Sequence, residues 1–177
     1  MTFGTNNTAD RRVKRTQRLI FEAFAELVQS RRFDEIKTLD IINQADVGKS
    51  TFYEHFKDKN DVLEQSLAAP LSIIASVLCG QSDSWSMEGI LNHFWTNRTL
   101  GRVILTHPTR AVAEKCLLDL IVTEICQNEG HGSNAKTTAR AIFLSAGFIA
   151  LLNDWLTGKL AVNTKQFTRI ASDLTAP

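Results

Sequence analysis

Apolar residues recur at helical spacing along most of this chain. Ile20, Ala23, Phe24, Leu27 and Val28 fall at i, i+3, i+4, i+7 and i+8, so residues 13–28 read as an amphipathic helix with one apolar stripe. Residues 1–9 are small and polar without such a period and read as a disordered terminus, so the ordered chain is expected to begin near Asp10. Residues 31–37 form a polar connection whose Phe33 and Ile36 return to the core. Thr38 offers an N-cap oxygen to a short helix carrying Leu39, Ile41, Ile42 and Ala45. Asp46-Val47-Gly48 interrupts the pattern as a tight turn, and Phe52 and Phe56 then share one face of a third short helix. Asp58 and Asp61 cap and charge the first turn of a fourth helix bearing Leu63, Leu67, Leu71, Ile74 and Leu78. Pro70 lies inside that helix, where its missing N–H and its ring predict a kink or a restart.

Residues 80–84 read as a loop and a domain boundary. Helices are expected at 87–95, 98–105, 109–126 and 137–156, with a weaker one at 164–174; His107-Pro108 breaks the chain, 128–134 is a glycine-bearing loop, and the long helix stops near Gly158. No strand alternation appears, and the fold class is all-α. Residues 141–156 are apolar on every side, which calls for burial on both flanks, while the run before Asn153 is too short to span a bilayer. One domain of this size covers one flank, so the other needs a partner chain. Phe143, Ala146, Gly147, Ala150 and Asp154 are assigned to that interface, with the helix at 109–126 completing a four-helix arrangement about a two-fold axis.

Composition narrows the class. The chain has 177 residues, 44% hydrophobic and 22% charged, an ordinary globular balance that excludes wholesale disorder and a membrane protein. Net charge is +1, and residues 1–65 hold 11 Lys and Arg against 11 Asp and Glu. The local exception is residues 10–18, where Arg11, Arg12, Lys14, Arg15 and Arg18 face Asp10 alone; by default this is a solvated helix face, and electrostatic attraction of a polyanion is its other reading. Cys79, Cys116 and Cys126 are an odd count without CxxC or Cys/His spacing, so thiols in a reducing cytoplasm are expected. Glu22 and Glu26 interrupt the first apolar stretch, which removes a secretory signal. His93, His107 and His131 have no carboxylate or cysteine at ligand or triad spacing, and there is no phosphate loop or nucleophile elbow. No enzyme, cofactor or metal is expected.

Two short helices joined by a tight turn, between two longer ones, fit the helix-turn-helix scheme whose second helix enters the major groove. With Phe52 at zero and about 100° per residue, Phe56 falls at about 40°, and Tyr53, Ser50 and Glu54 at about 100°, 160° and 200°. The last three therefore point away from the core. Lys49 and Ser50 stand at the helix start.

The stretch Thr38-Leu39-Asp40-Ile41, followed by residues 45–59 (Ala45-Asp46-Val47-Gly48-Lys49-Ser50-Thr51-Phe52-Tyr53-Glu54-His55-Phe56-Lys57-Asp58-Lys59), resembles the DNA-binding domain of TetR-family transcriptional regulators. That family shows an aspartate-isoleucine pair, an alanine-glycine-valine turn, then threonine, a large apolar residue, tyrosine, a variable residue, histidine and phenylalanine, with a lysine three further on. The likeness covers about residues 11–66. Two positions depart from the pattern. Asp46 replaces the turn glycine, and aspartate tolerates the left-handed conformation better than most residues. Gly48 replaces a serine or threonine cap, costing a few tenths of a kcal/mol and one phosphate-seeking hydroxyl.

The resemblance implies a three-helix DNA-binding domain at 1–66 joined to a helical dimerisation and effector domain at 67–177. It implies that Thr38, Tyr53, His55 and Lys59 touch phosphates, and that Lys49, Ser50 and Thr51 approach base edges. His55 lies about 60° from Phe52, so a histidine bonded within the core is its other reading. Trp85, His93, Trp95, Asn97 and His107 are candidates for an effector pocket, with core packing the alternative for the tryptophans. The expected protein is a cytoplasmic homodimer on a palindromic double-stranded DNA operator, a repressor released by a small-molecule effector. The rivals are a helical small-molecule-binding protein or enzyme with a vestigial DNA motif, and a regulator without a small ligand.

Overall fold

The computed structural model describes residues 6–106, 108–129, 132 and 134–175. Among these the chain is helical, with no strand: α1 (Asn6–Ser30), a 3-10 turn at Phe33–Glu35, α2 (Thr38–Gln44), α3 (Lys49–His55), α4 (Lys59–Leu78), α5 (Ser84–Thr96), α6 (Arg98–Ile104), α7 (Thr109–Glu129), α8 (Ala135–Leu156) and α9 (Thr164–Thr175). It divides into two compact units, Met1–Ser66 and Leu67–Pro177. The division falls within α4, not at the loop after Leu78, because that helix supplies both cores in turn.

In the first unit the stripe of α1 is buried as its spacing requires, with Ile20 at 0% and Phe24 at 3% exposure. Phe33 and Ile36 close the bottom of the core, Phe33 edge-on to Phe24 at 6.2 Å. α1 starts at Asn6, well before Asp10, so 6–9 are helical and not disordered; an Asp10–Lys14 pair at 2.9 Å supports its early turns. Thr38 is the first residue of α2, so the cap position belongs to Lys37, whose N–H donates to the Asp40 carboxylate at 2.8 Å. The reason is the aspartate: at the third helical position it satisfies an orphan donor that a Thr38 cap would have left aside. Leu39 is 46% exposed, off the α2 face that buries Ile41 and Ile42.

In the second unit α8 packs against α7, and α5 against α9. Gly101 permits the close approach of α6 to α8, since a Cβ there would sit 2.9 Å from Leu156 Cδ1, and Arg102 Nε donates to the Leu156 carbonyl at 2.7 Å. Trp155 is wholly buried, stacked with Phe167 at 4.7 Å and tilted against Trp95 at 4.8 Å, and its indole N–H donates to the Val162 carbonyl. α4 runs unbroken through Pro70, with no restart there. By length and composition α4 and α8 would each suffice to cross a membrane, but Ile74, Leu78, Leu144 and Leu152 are spent on a packed core.

Candidate nucleic-acid interface

The turn between α2 and α3 sets the site. Asp46 adopts φ 50°, the left-handed conformation its position demands, and the Val47 N–H then donates to the Ile42 carbonyl at 3.3 Å. Gly48 takes the N-cap of α3 with φ −67° and ψ 148°. Behind the turn Phe52 (0% exposed) and Phe56 (1%) lock α3 onto α1, Phe56 meeting Phe21 edge-on at 5.5 Å. Gln44 Nε2 to Glu26 Oε2 at 2.7 Å ties α2 to α1.

With the phenylalanines buried, the opposite side of α3 is open. Tyr53 is 57% exposed although it stands next to Phe52, which braces its ring edge-on at 5.4 Å. Lys49, Ser50 and Glu54 are exposed, Thr51 and His55 half-buried. His55 stands against Phe56, and among the described residues its imidazole takes no hydrogen bond, so the ring nitrogens are not used by the core. Thr38 is half-buried at the start of α2. α3 thus brings Lys49, Ser50, Thr51 and Tyr53 onto one short helix, with a cation and two hydroxyls at its N-terminal end.

Lys59 is employed differently from the expectation. Its ammonium donates to the carbonyls of Phe33 at 2.7 Å, Ile36 at 2.8 Å and, more weakly, Asp34 at 3.4 Å, and lies 4.5 Å from the centre of the Phe33 ring. An ammonium has three N–H donors, and all three are engaged within the chain. Lys59 fastens the start of α4 to the connection between α1 and α2. The partners are 23 to 26 residues away in sequence, so only long-range geometry reveals the role.

Residues 20–65 match the model of the bacterial regulatory proteins of the tetR family. The matched stretch is the helix-turn-helix described above, from α1 into α4. A 48-residue stretch is 35% identical to the HTH-type dhaKLM operon transcriptional activator DhaS of Lactococcus lactis subsp. lactis (strain IL1403), covering 27% of this chain and about a quarter (26%) of that protein. The fold resemblance is longer. A TetR-family regulator structure from Syntrophomonas wolfei aligns with a TM-score of 0.60 at 20% identity, covering 92% of this chain and 93% of that one. Another, from Streptococcus agalactiae, aligns at 0.56 and 21% identity, covering 95% and 97%. Over most of its length the chain shares the fold of these regulators.

Of the residues proposed for an effector pocket, Trp85 is 79% exposed, His93 and Asn97 are exposed, and Trp95 is tilted by 31° against Trp155 with the Arg98 guanidinium 5.4 Å from its ring centre; His107 lies outside the described residues. α5 turns these side chains outward because Met87 and Leu91 supply its buried face. One void of about 10 Å³ lies between α4, α5, α6, α7 and α8. The interface residues assigned to α8 lie on its open side: Phe143 is 75% exposed, Gly147 and Ala150 exposed, Ala146 and Asp154 half-buried. α7 covers the opposite, buried face of α8. The open side is bordered instead by α9, where Leu174 (62% exposed) flanks a groove of about 120 Å³ lined also by Leu78, Phe143, Gly147 and Leu151. Among the described residues no group of three His, Cys, Asp or Glu could hold a metal ion.

Proposed function

We propose that this TetR-family chain binds a palindromic duplex operator in the cytoplasm as a homodimer and represses transcription by occupying it. The observation that carries the reading is the two-sided α3, with Phe52 at 0% exposure and Tyr53 at 57% on consecutive positions. Lys49, Ser50 and Thr51 meet base edges in this reading, and Thr38, Tyr53 and His55 meet phosphates; Arg11, Arg12, Lys14, Arg15 and Arg18 add salt-dependent attraction. Lys59 holds the scaffold and is omitted from the contacts. Two-fold symmetry of the protein is mirrored in the two halves of the operator, and the open side of α8 with its Phe143, Ala146, Gly147, Ala150 and Asp154 is the surface for the second copy.

Enrichment of a random duplex library on the full chain tests the reading. An inverted repeat should emerge, and recovery of no motif, or of a single half-site, would overturn it. DhaS of Lactococcus lactis is an activator by name, so the sense of control is tested separately: a reporter that rises when the gene is deleted supports repression, and one that falls reverses it. The void of about 10 Å³ between α4, α5, α6, α7 and α8 is no larger than one water needs, so an effector is not placed there in this reading.

A further inference from the structure

We propose that Glu54 selects a cytosine in each operator half-site, its carboxylate accepting a hydrogen bond from the cytosine N4 amino group in the major groove. The inference rests on the reading of α3 as the helix that meets base edges, and it adds the one anionic side chain that α3 carries. With Phe52 at zero, the buried pair Phe52 and Phe56 is centred at about 20°, so the middle of the open side lies at about 200°. Glu54 stands there, with Ser50 about 40° away and Tyr53 about 100° round toward the flank. Glu54 is exposed, and among the described residues no cation or N–H group partners its carboxylate. The next acids along the chain are employed differently: Asp58 accepts from the N–H groups of Asn60 and Asp61 at 2.7 and 3.0 Å, and Asp61 from the Lys57 N–H at 2.8 Å.

A free carboxylate at the centre of a DNA-facing surface is unfavourable against phosphate oxygens and against every acceptor on a base edge. The major groove offers it two donors, the amino groups of cytosine and adenine. Adenine sets its N7 acceptor beside the amino group, so the second carboxylate oxygen meets a lone pair there; that edge suits the paired donor and acceptor of a glutamine or asparagine amide. Cytosine presents its amino group with no acceptor of its own beside it. Glu54 thus discriminates by exclusion as much as by attraction, since it costs affinity on every sequence that lacks the cytosine. Ser50 and Glu54 lie about one turn apart, about 6 Å along the helix, which is about two base-pair steps at roughly 3.4 Å each. The cytosine therefore falls about two steps from the edge that Ser50 meets.

Enrichment of a random duplex library on the full chain, run in parallel for wild type, Glu54→Gln and Glu54→Ala, tests the assignment. The wild-type motif should hold one cytosine per half-site that becomes adenine with Glu54→Gln, whose amide pairs with adenine N6 and N7. With Glu54→Ala that position should become unselected while the others stay, and duplexes lacking the cytosine should bind more tightly than they bind wild type. The enriched duplex is then remade with 2-pyrimidinone in place of the cytosine, which deletes the amino group alone. Wild type should lose about tenfold in affinity on it, and Glu54→Ala should lose nothing, as a coupled pair requires. A motif unchanged in both variants, a switched position that is not cytosine in wild type, or equal losses on the 2-pyrimidinone duplex would overturn the assignment while leaving operator binding in place. A uniform gain in affinity across all sequences would do the same, marking Glu54 as a bystander charge. No motif with wild type would overturn the operator reading and the assignment with it. Exposed substitutions of this kind leave the fold intact, which circular dichroism checks; should either variant miss the wild-type helical signal, the other carries the same test.

Discussion

Lys59→Met separates a scaffold lysine from a phosphate-binding one. The substitution keeps the apolar stem against Phe33 and removes the ammonium, stranding the carbonyls of Phe33 and Ile36 that it meets at 2.7 and 2.8 Å. A hydrogen bond from a charged donor is worth about 1.5–3 kcal/mol. Two such bonds do not add fully here, because the Phe33 carbonyl also accepts from the Ile36 N–H at 3.2 Å and the Asp34 carbonyl is open to water. The cation over the ring contributes about 0.5–1 kcal/mol more. A net loss of about 2–3 kcal/mol follows, lowering Tm by about 5–10 °C at 2–4 °C per kcal/mol for a chain of this length. Calorimetry gives the melting temperature, and operator affinity across a salt series gives the second readout. The scaffold role predicts a salt slope within error of wild type under conditions where the variant is folded. A phosphate contact predicts the reverse: a slope shallower by about 0.9, with Tm nearly unmoved. A Lys59→Met chain melting within about 1 °C of wild type with a shallower slope would refute the argument.

Tyr53→Ala and Lys49→Ala should each weaken operator binding while changing stability by less than about 0.5 kcal/mol, as exposed positions do; full binding by the double variant in gel-shift titration would remove α3 from the interface. Gly147→Leu has room within one chain, with nothing inside 4 Å of the added Cβ, so it should leave the monomer folded and abolish dimers in sedimentation; retained dimers would place the interface elsewhere. Pro70→Ala should restore a helix donor and raise Tm, since proline costs a helix interior about 3 kcal/mol. If Pro70 also acts as a hinge, operator affinity changes with it, and unchanged affinity in a fully folded variant would eliminate the hinge. Burial raises the Cys79 thiol to a pKa of about 11, Arg140 opposing and Glu124 adding to the shift. The thiolate is therefore scarce at pH 8, and iodoacetamide should modify Cys79 in the native chain far more slowly than in urea; equal rates by peptide mass spectrometry would contradict the burial.

The first unit was legible because its determinants are local. Phe52 and Phe56 four residues apart, and an aspartate able to take the left-handed turn at position 46, specify the buried face and the bend without reference to distant residues. Lys59 was not legible, since a lysine two residues beyond Lys57 looks like any solvated cation until the 3-10 turn folds beneath it. The early start of α1 was missed because residues 6–9 have no apolar period to signal a helix held by propensity and an Asp10–Lys14 pair. In the second unit spacing located every helix but could not orient α5. Trp85 and Trp95 promise burial by type, and only the competition with Met87 and Leu91 for the inner face shows which side loses.

The distribution of aromatic residues gives this chain an optical division of labour. It has one tyrosine and three tryptophans. The tyrosine is Tyr53 on the open side of α3, and Trp85, Trp95 and Trp155 all belong to the second unit. A fluorinated tyrosine incorporated throughout would give a single fluorine resonance, reporting on the reading helix without any mutation. Indole emission reports on the other unit alone, with Trp155 shielded between Trp95 and Phe167 and Trp85 standing in solvent. Operator capture and rearrangement of the second unit can therefore be timed in one sample on two separate channels, and the order of the two events read directly from the delay between them.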